Sequence, residues 1–177
     1  MDRRLSQRHV DAYYGIADAL GKRITTNSDS LAALAGDCAT DGTPDEACTR
    51  AFIESFGARA FRRPLTSAEV DRYLELRIDG TPGGDVVFGI LFTMILAPDF
   101  LYHLEVRGEP LPSQSRVLAL TPHEKAARLS YLFWRSMPDQ ELMDAAAAGE
   151  LDTDPGFETA AERVFADPRT KATLREF

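Results

Sequence analysis

One run constrains this chain more than anything else in it: Val86-Val87-Phe88-Gly89-Ile90-Leu91-Phe92-Thr93-Met94-Ile95-Leu96-Ala97, closed by Pro98-Asp99-Phe100-Leu101-Tyr102. No charged side chain interrupts the first twelve residues, and apolar groups sit on every face of the helix they would form. A helix that is apolar all round belongs inside a protein or a membrane. This one is too short to span a bilayer, which takes roughly 20 apolar residues. Pro98 withholds a backbone donor and stops or kinks the helix. The run predicts a buried central helix on which amphipathic neighbours pack.

With 177 residues, 44% hydrophobic and 27% charged, the chain is too apolar for disorder and holds one large domain or two small ones. A net charge of −8 repels phosphate backbones and argues against a nucleic-acid partner. Met1-Asp2-Arg3-Arg4-Leu5 leads into a polar, helix-like pattern instead of an export signal, and the stretch from Lys171 to Phe177 stops while a helical pattern is running. Both ends read as those of an excerpt from something longer.

From Leu5 to Leu20 the positions Val10, Tyr13, Tyr14, Ile16, Ala17 and Leu20 recur at helical spacing, with Gly21 as the expected stop. A shorter helix is expected from Ser28 to Leu34. Three further starts share one form: Thr43-Pro44-Asp45-Glu46, Thr66-Ser67-Ala68-Glu69 and Thr121-Pro122-His123-Glu124. Each offers Thr at the N-cap and Glu three residues on, the reciprocal arrangement of a capping box. The first predicts a helix to about Arg62 with Cys48, Phe52, Phe56 and Ala60 on one face. The second predicts Thr66 to Ile78, burying Val70, Tyr73 and Leu74. Gly80-Thr81-Pro82-Gly83-Gly84 reads as a turn, with Asp85 capping the central helix.

Arg107 to Ser115 has linker composition, and a short strand is allowed at Val117–Leu120. The third capped helix runs to about Ser136 and carries Ala126, Leu129, Phe133 and Trp134. Ser136-Met137-Pro138-Asp139 caps the next, which ends at Gly149. Asp154-Pro155 opens another, with Phe157, Ala160, Ala161, Val164 and Phe165 inward, and Asp167-Pro168 opens the last. The expected fold is all-α: a multi-helix bundle around a buried central helix, either one mass or two packed helical subdomains. The units would be residues 1–108, with the apolar helix, and 116–177, the second cut short.

Cys38 and Cys48 have nine residues between them, which fits no common zinc spacing, and no Cys-x-x-Cys-His haem attachment is present. One reading is a disulfide worth roughly 2–3 kcal/mol, which places the protein outside the cytoplasm. The other is two unpaired buried thiols.

Three motifs stand in order: Phe56-Gly57-Ala58-Arg59-Ala60-Phe61-Arg62-Arg63-Pro64-Leu65-Thr66, Ala97-Pro98-Asp99-Phe100-Leu101-Tyr102-His103-Leu104-Glu105, and Ala127-Arg128-Leu129-Ser130-Tyr131-Leu132-Phe133-Trp134-Arg135-Ser136-Met137-Pro138-Asp139. Together they resemble a tandem of the domain-of-unknown-function families fifteen-ninety-five and fifteen-ninety-two, found in large exported bacterial proteins. The first would cover about Cys48 to Glu105 and the second would begin near Leu118. The resemblance transfers no activity and no catalytic residues. It implies an extracytoplasmic setting (periplasmic, cell-surface or secreted), with other domains of the parent or separate proteins as partners. Some members carry a cytochrome c-type haem segment elsewhere in the parent, so the resemblance allows a haem in the parent's remainder, and no cofactor is expected in this chain. His103 stands where the motif leads one to expect arginine.

Arg59, Arg62 and Arg63 can bind an anion, since guanidinium groups read carboxylates bidentately. The alternative is that they pair with Asp99, Glu105 or Asp139 and fix how helices dock; Arg128 joins them as an ion-pair candidate. Two of those carboxylates could serve as the acid and base of a glycosidase, but Asp99 after a helix break and Asp139 at a cap are ordinary structural uses of Asp. His9, His103 and His123 have no i, i+4 pairing for a metal. Ser130 and Ser136 lack a nucleophile elbow. Trp134 with Tyr131 and Phe133 is either a sugar-stacking platform or core. No catalytic, metal or cofactor-binding residue is assigned. The expectation is a non-catalytic helical scaffold or interaction module. The rival is part of an extracytoplasmic enzyme, either polysaccharide-acting or an electron-transfer partner of a haem domain.

Overall fold

The computed structural model describes residues 7–40, 42–112 and 114–176. Within them the chain forms ten α-helices and one two-stranded antiparallel sheet, arranged as two compact units that divide between Tyr102 and His103. The expectations for Met1 to Leu5 and for Phe177 fall outside the described residues.

The N-terminal unit holds α1 (Gln7–Thr25), α2 (Ser28–Ala35), α3 (Glu46–Phe61), α4 (Ser67–Leu74), α5 (Gly83–Ile95) and α6 (Pro98–Leu101). Helix α5 is its centre. Val86, Val87, Ile90, Leu91, Met94 and Ile95 are all 5% exposed or less, buried against side chains such as Ala17, Phe52, Ile53 and Phe61. The rod is not dry all round, however. Phe88, Gly89 and Phe92 are half-buried and Thr93 is exposed, its hydroxyl donating back to the Gly89 carbonyl at 2.7 Å. Helix α1 covers part of that flank, with Tyr14 edge-on to Phe92 at 5.0 Å.

Two glycines read as breaks are instead places of close approach. Gly21 lies inside α1, and a Cβ there would meet the Phe88 ring at 2.8 Å. Gly83 opens α5, where a Cβ would come within 2.0 Å of the Ala39 carbonyl oxygen, and its amide donates to Gly42. Asp85 therefore sits in the first turn of α5 and does not cap it; Pro82 holds the N-cap position without a side-chain bond. The face read for α1 is only partly used. Ala17 and Gly21 are buried, but Val10, Tyr14, Ile16 and Leu20 are exposed.

Two of the three Thr starts are capping boxes, at Thr66 with Glu69 and at Thr121 with Glu124. The first start is shifted by two residues. Asp45, not Thr43, accepts the Cys48 amide at 2.7 Å, and Pro44 is buried with its carbonyl bound by Arg77. Helix α4 stops at Leu74, short of the expected Ile78, which is exposed.

The second unit holds β1 (Pro110–Leu111) paired with β2 (Gln114–Leu118), then α7 (Pro122–Trp134), α8 (Gln140–Ala147), α9 (Asp154–Ala166) and α10 (Pro168–Leu174). The hairpin occupies most of the stretch read as a linker. Ala126, Leu129, Trp134, Leu142, Ala146, Leu151, Ala160 and Val164 form the core. Phe157 and Phe165, expected inward, are 36% and 58% exposed. Within the stretch expected to cap α8, Asp139 is the N-cap residue and Ser136 is exposed.

Candidate functional site

Arg62 and Arg63, which follow α3, centre a polar network in the N-terminal unit. Helix α3 ends in a left-handed residue, Arg62 at φ 58°, which turns the chain so that Arg62 points in and Arg63 lies beside α4. Arg62 is buried, yet among the described residues it meets no carboxylate. Its guanidinium donates to the carbonyls of Ala60 (3.3 Å), Phe100 (3.4 Å), Tyr102 (3.0 Å) and Asp99. These acceptors include the free carbonyls that end α6, so the side chain caps that helix from outside. The positive charge suits a helix C-terminus.

Arg63 does meet carboxylates. It donates to Glu69 through both terminal nitrogens, at 2.9 and 2.7 Å, and to Asp99 at 2.8 Å. Glu69 also accepts the Thr66 amide in the capping box. The Arg63 guanidinium, with the Thr66 amide behind it, holds the Glu69 carboxyl down at about 2. Arg59 is exposed and takes no part in this network.

In the second unit Glu105 accepts from Arg128 Nε at 2.9 Å. Asp139 receives both terminal nitrogens of Arg163, at 3.0 and 2.9 Å, while capping α8. Arg163 holds its carboxyl below the usual range. Arg169 adds a longer contact at 3.5 Å and stacks 3.6 Å from the Trp134 ring centroid. Trp134 is 5% exposed and its indole N–H donates to the Val164 carbonyl, so the ring belongs to the core.

Thus Asp99 meets Arg63, Glu105 meets Arg128, and Asp139 meets Arg163 and Arg169. The last two partners escaped the sequence reading, as did Glu69. Glu69 was legible as a cap, but its use by Arg63 depends on the left-handed turn at Arg62. Arg163 and Arg169 reach Asp139 across 24 and 30 residues, a separation with no local signature.

Cys38 and Cys48 form a disulfide, tying the 3₁₀ turn at Asp37–Ala39 to the start of α3. Among the described residues no group of three His, Cys, Asp or Glu side chains is placed to hold a metal ion. His103 packs on Tyr131 with ring centroids 4.0 Å apart, and buried Ser130 donates to the Ala127 carbonyl within its helix.

No described helix is long and apolar enough to cross a membrane. Neither a curated protein nor a solved structure matches the chain. Residues 48–105 match the family model PSD5, described as a protein of unknown function (DUF1595), and residues 120–177 match PSD4, likewise of unknown function (DUF1592). The chain therefore carries a DUF1595 domain followed by a DUF1592 domain.

Proposed function

We propose that this chain is a non-catalytic helical scaffold or interaction module of a larger protein that works outside the cytoplasm. The observation that carries this reading is the partnering of the charged groups gathered at its helix ends. Arg62 is bound to four carbonyls, Arg63 to Glu69 and Asp99, and Asp139 to a helix cap and two arginines. A general acid working near neutrality needs a carboxyl whose pKa is raised. Glu69 and Asp139 are displaced the other way, each by a guanidinium. The Cys38–Cys48 bridge supports an oxidising compartment.

Carboxyl-resolved NMR titration tests the proposal. Glu69 and Asp139 are expected to titrate below the ordinary carboxylate range, and Asp139→Asn to lower thermal stability. A carboxyl among Glu69, Asp99, Glu105 and Asp139 titrating near pH 6 to 7 would return the enzyme reading to first place.

A further inference from the structure

The chain's net charge is not spread evenly. Nine carboxylates lie between Asp139 and Asp167 against one cation, Arg163, so this stretch alone carries −8, the net charge of all 177 residues. Asp139 and Asp167 are held by arginines. Asp154, Glu158 and Glu162, four residues apart on α9, are exposed and carry no ion-pair partner among the described residues. They form a free acidic ridge along the helix.

Beside that ridge runs an apolar groove. Leu120, Leu129, Leu132, Leu151 and Phe157 line a cleft of about 400 Å³ between α7 and the start of α9, and its two cations, Lys125 and Arg128, are already paired with Asp152 and Glu105. Leu132 is 61% exposed. The two helices run side by side, since Lys125 reaches Asp152 at one end and Phe133 meets Phe165 edge-on at the other. Phe165, 58% exposed, therefore extends the strip along α9 on the face that carries the ridge. Large side chains left open in a row beside unneutralised charge are what a helix-in-groove contact uses.

The geometry points to an amphipathic helix of a partner protein as the occupant, with large apolar side chains on one face and lysines or arginines flanking them. This rests on the scaffold reading and names its partner class. Charge selects that occupant over the others. A second copy meeting this face through a two-fold axis would set the same acidic ridge against itself. An anionic lipid surface would be repelled in the same way. A basic helix gains from the ridge and buries the strip.

The probe is a synthetic helical peptide of leucine and lysine, with leucines at i, i+3, i+4 and i+7, titrated into the full chain and followed by fluorescence anisotropy. The controls are a scrambled peptide of the same composition and a leucine–glutamate version. The leucine–lysine helix is expected to bind at least about tenfold tighter than the scramble, and the acidic version not at all. Leu132→Ser and Phe165→Ser should each weaken binding by roughly tenfold as lost anchor residues. Glu158→Gln with Glu162→Gln should weaken it and flatten its salt dependence. Leu132 is exposed, so its variant should keep the wild-type unfolding temperature. Equal binding of the scramble, indifference to Leu132→Ser, or self-association through this face in sedimentation would each overturn the inference. Those outcomes leave the carboxyl titrations untouched, so failure of the partner and failure of the scaffold reading are told apart.

Discussion

Asp99 is held by two consecutive arginines: its carboxylate accepts from Arg63 at 2.8 Å, and its main-chain carbonyl accepts from Arg62. The pair of contacts fastens helix α6 to the end of α3. One arginine works as an ion-pair partner and the other as a helix cap, although the two are neighbours in sequence.

Arg62→Ala should cost about 2–4 kcal/mol in chemical denaturation, because the carbonyls of Asp99, Phe100 and Tyr102 lose their shared donor in a buried place. Arg62→Gly should cost roughly 1 kcal/mol less than Ala, since φ 58° strains any residue with a Cβ. Arg62→Lys should not rescue, as an ammonium cannot span several acceptors in a plane. Unchanged stability in the alanine variant would remove the capping role.

Acid should weaken the N-terminal unit through Glu69. Its folded carboxyl sits at about 2 and its unfolded one near the ordinary 4.5, so the unfolded chain takes up the proton first. The stabilisation is complete above the unfolded value and is lost as pH falls from about 4.5 towards 2. Unfolding curves recorded across that window should flatten in Glu69→Gln relative to the unsubstituted chain.

Asp139→Ala should cost about 2–4 kcal/mol, for it removes the cap of α8 and leaves Arg163 without its principal partner. Asp139→Asn should cost less, because asparagine caps as well as aspartate. Equal loss in both variants, measured by urea unfolding, would assign the whole effect to the ion pair.

Breaking the Cys38–Cys48 bridge should lower stability by roughly 3 kcal/mol on the loop-entropy model. Unfolding with and without reductant measures this directly. A thiol reagent should find no free sulfur in unfolded, unreduced protein; two labelled cysteines would mean the bridge does not form.

Trp134 should emit as a buried indole whose spectrum oligosaccharides leave unchanged, because its ring is packed beneath Arg169 and its N–H is bound to Val164. A saccharide-dependent shift in that emission would put a sugar platform back on this helix.

Much of the fold was legible because its signals are local. The capping boxes at Thr66 and Thr121 need only four residues each, and the apolar content of α5 shows in one run. What failed was non-local. Gly21 and Gly83 look like breaks until Phe88 and the Ala39 carbonyl are brought against them. Helical spacing on α1 and α9 shows which residues share a face, but not whether a neighbour is long enough to cover it, so Tyr14 and Phe165 stayed exposed. The arginine cluster was visible as charge. Its division into a carbonyl cap and an ion pair was not, because that follows from the left-handed turn at Arg62.

Arg63, with Glu69 and Asp99, fastens α3, α4 and α6 around α5. A double-mutant cycle on Arg63 and Asp99 tests this most directly, using Arg63→Ala, Asp99→Ala and the pair, each followed by equilibrium unfolding. The two side chains are 12% and 25% exposed, and a coupling of about 1–2 kcal/mol is expected. A coupling indistinguishable from zero, with both single variants as stable as the parent chain, would contradict the account.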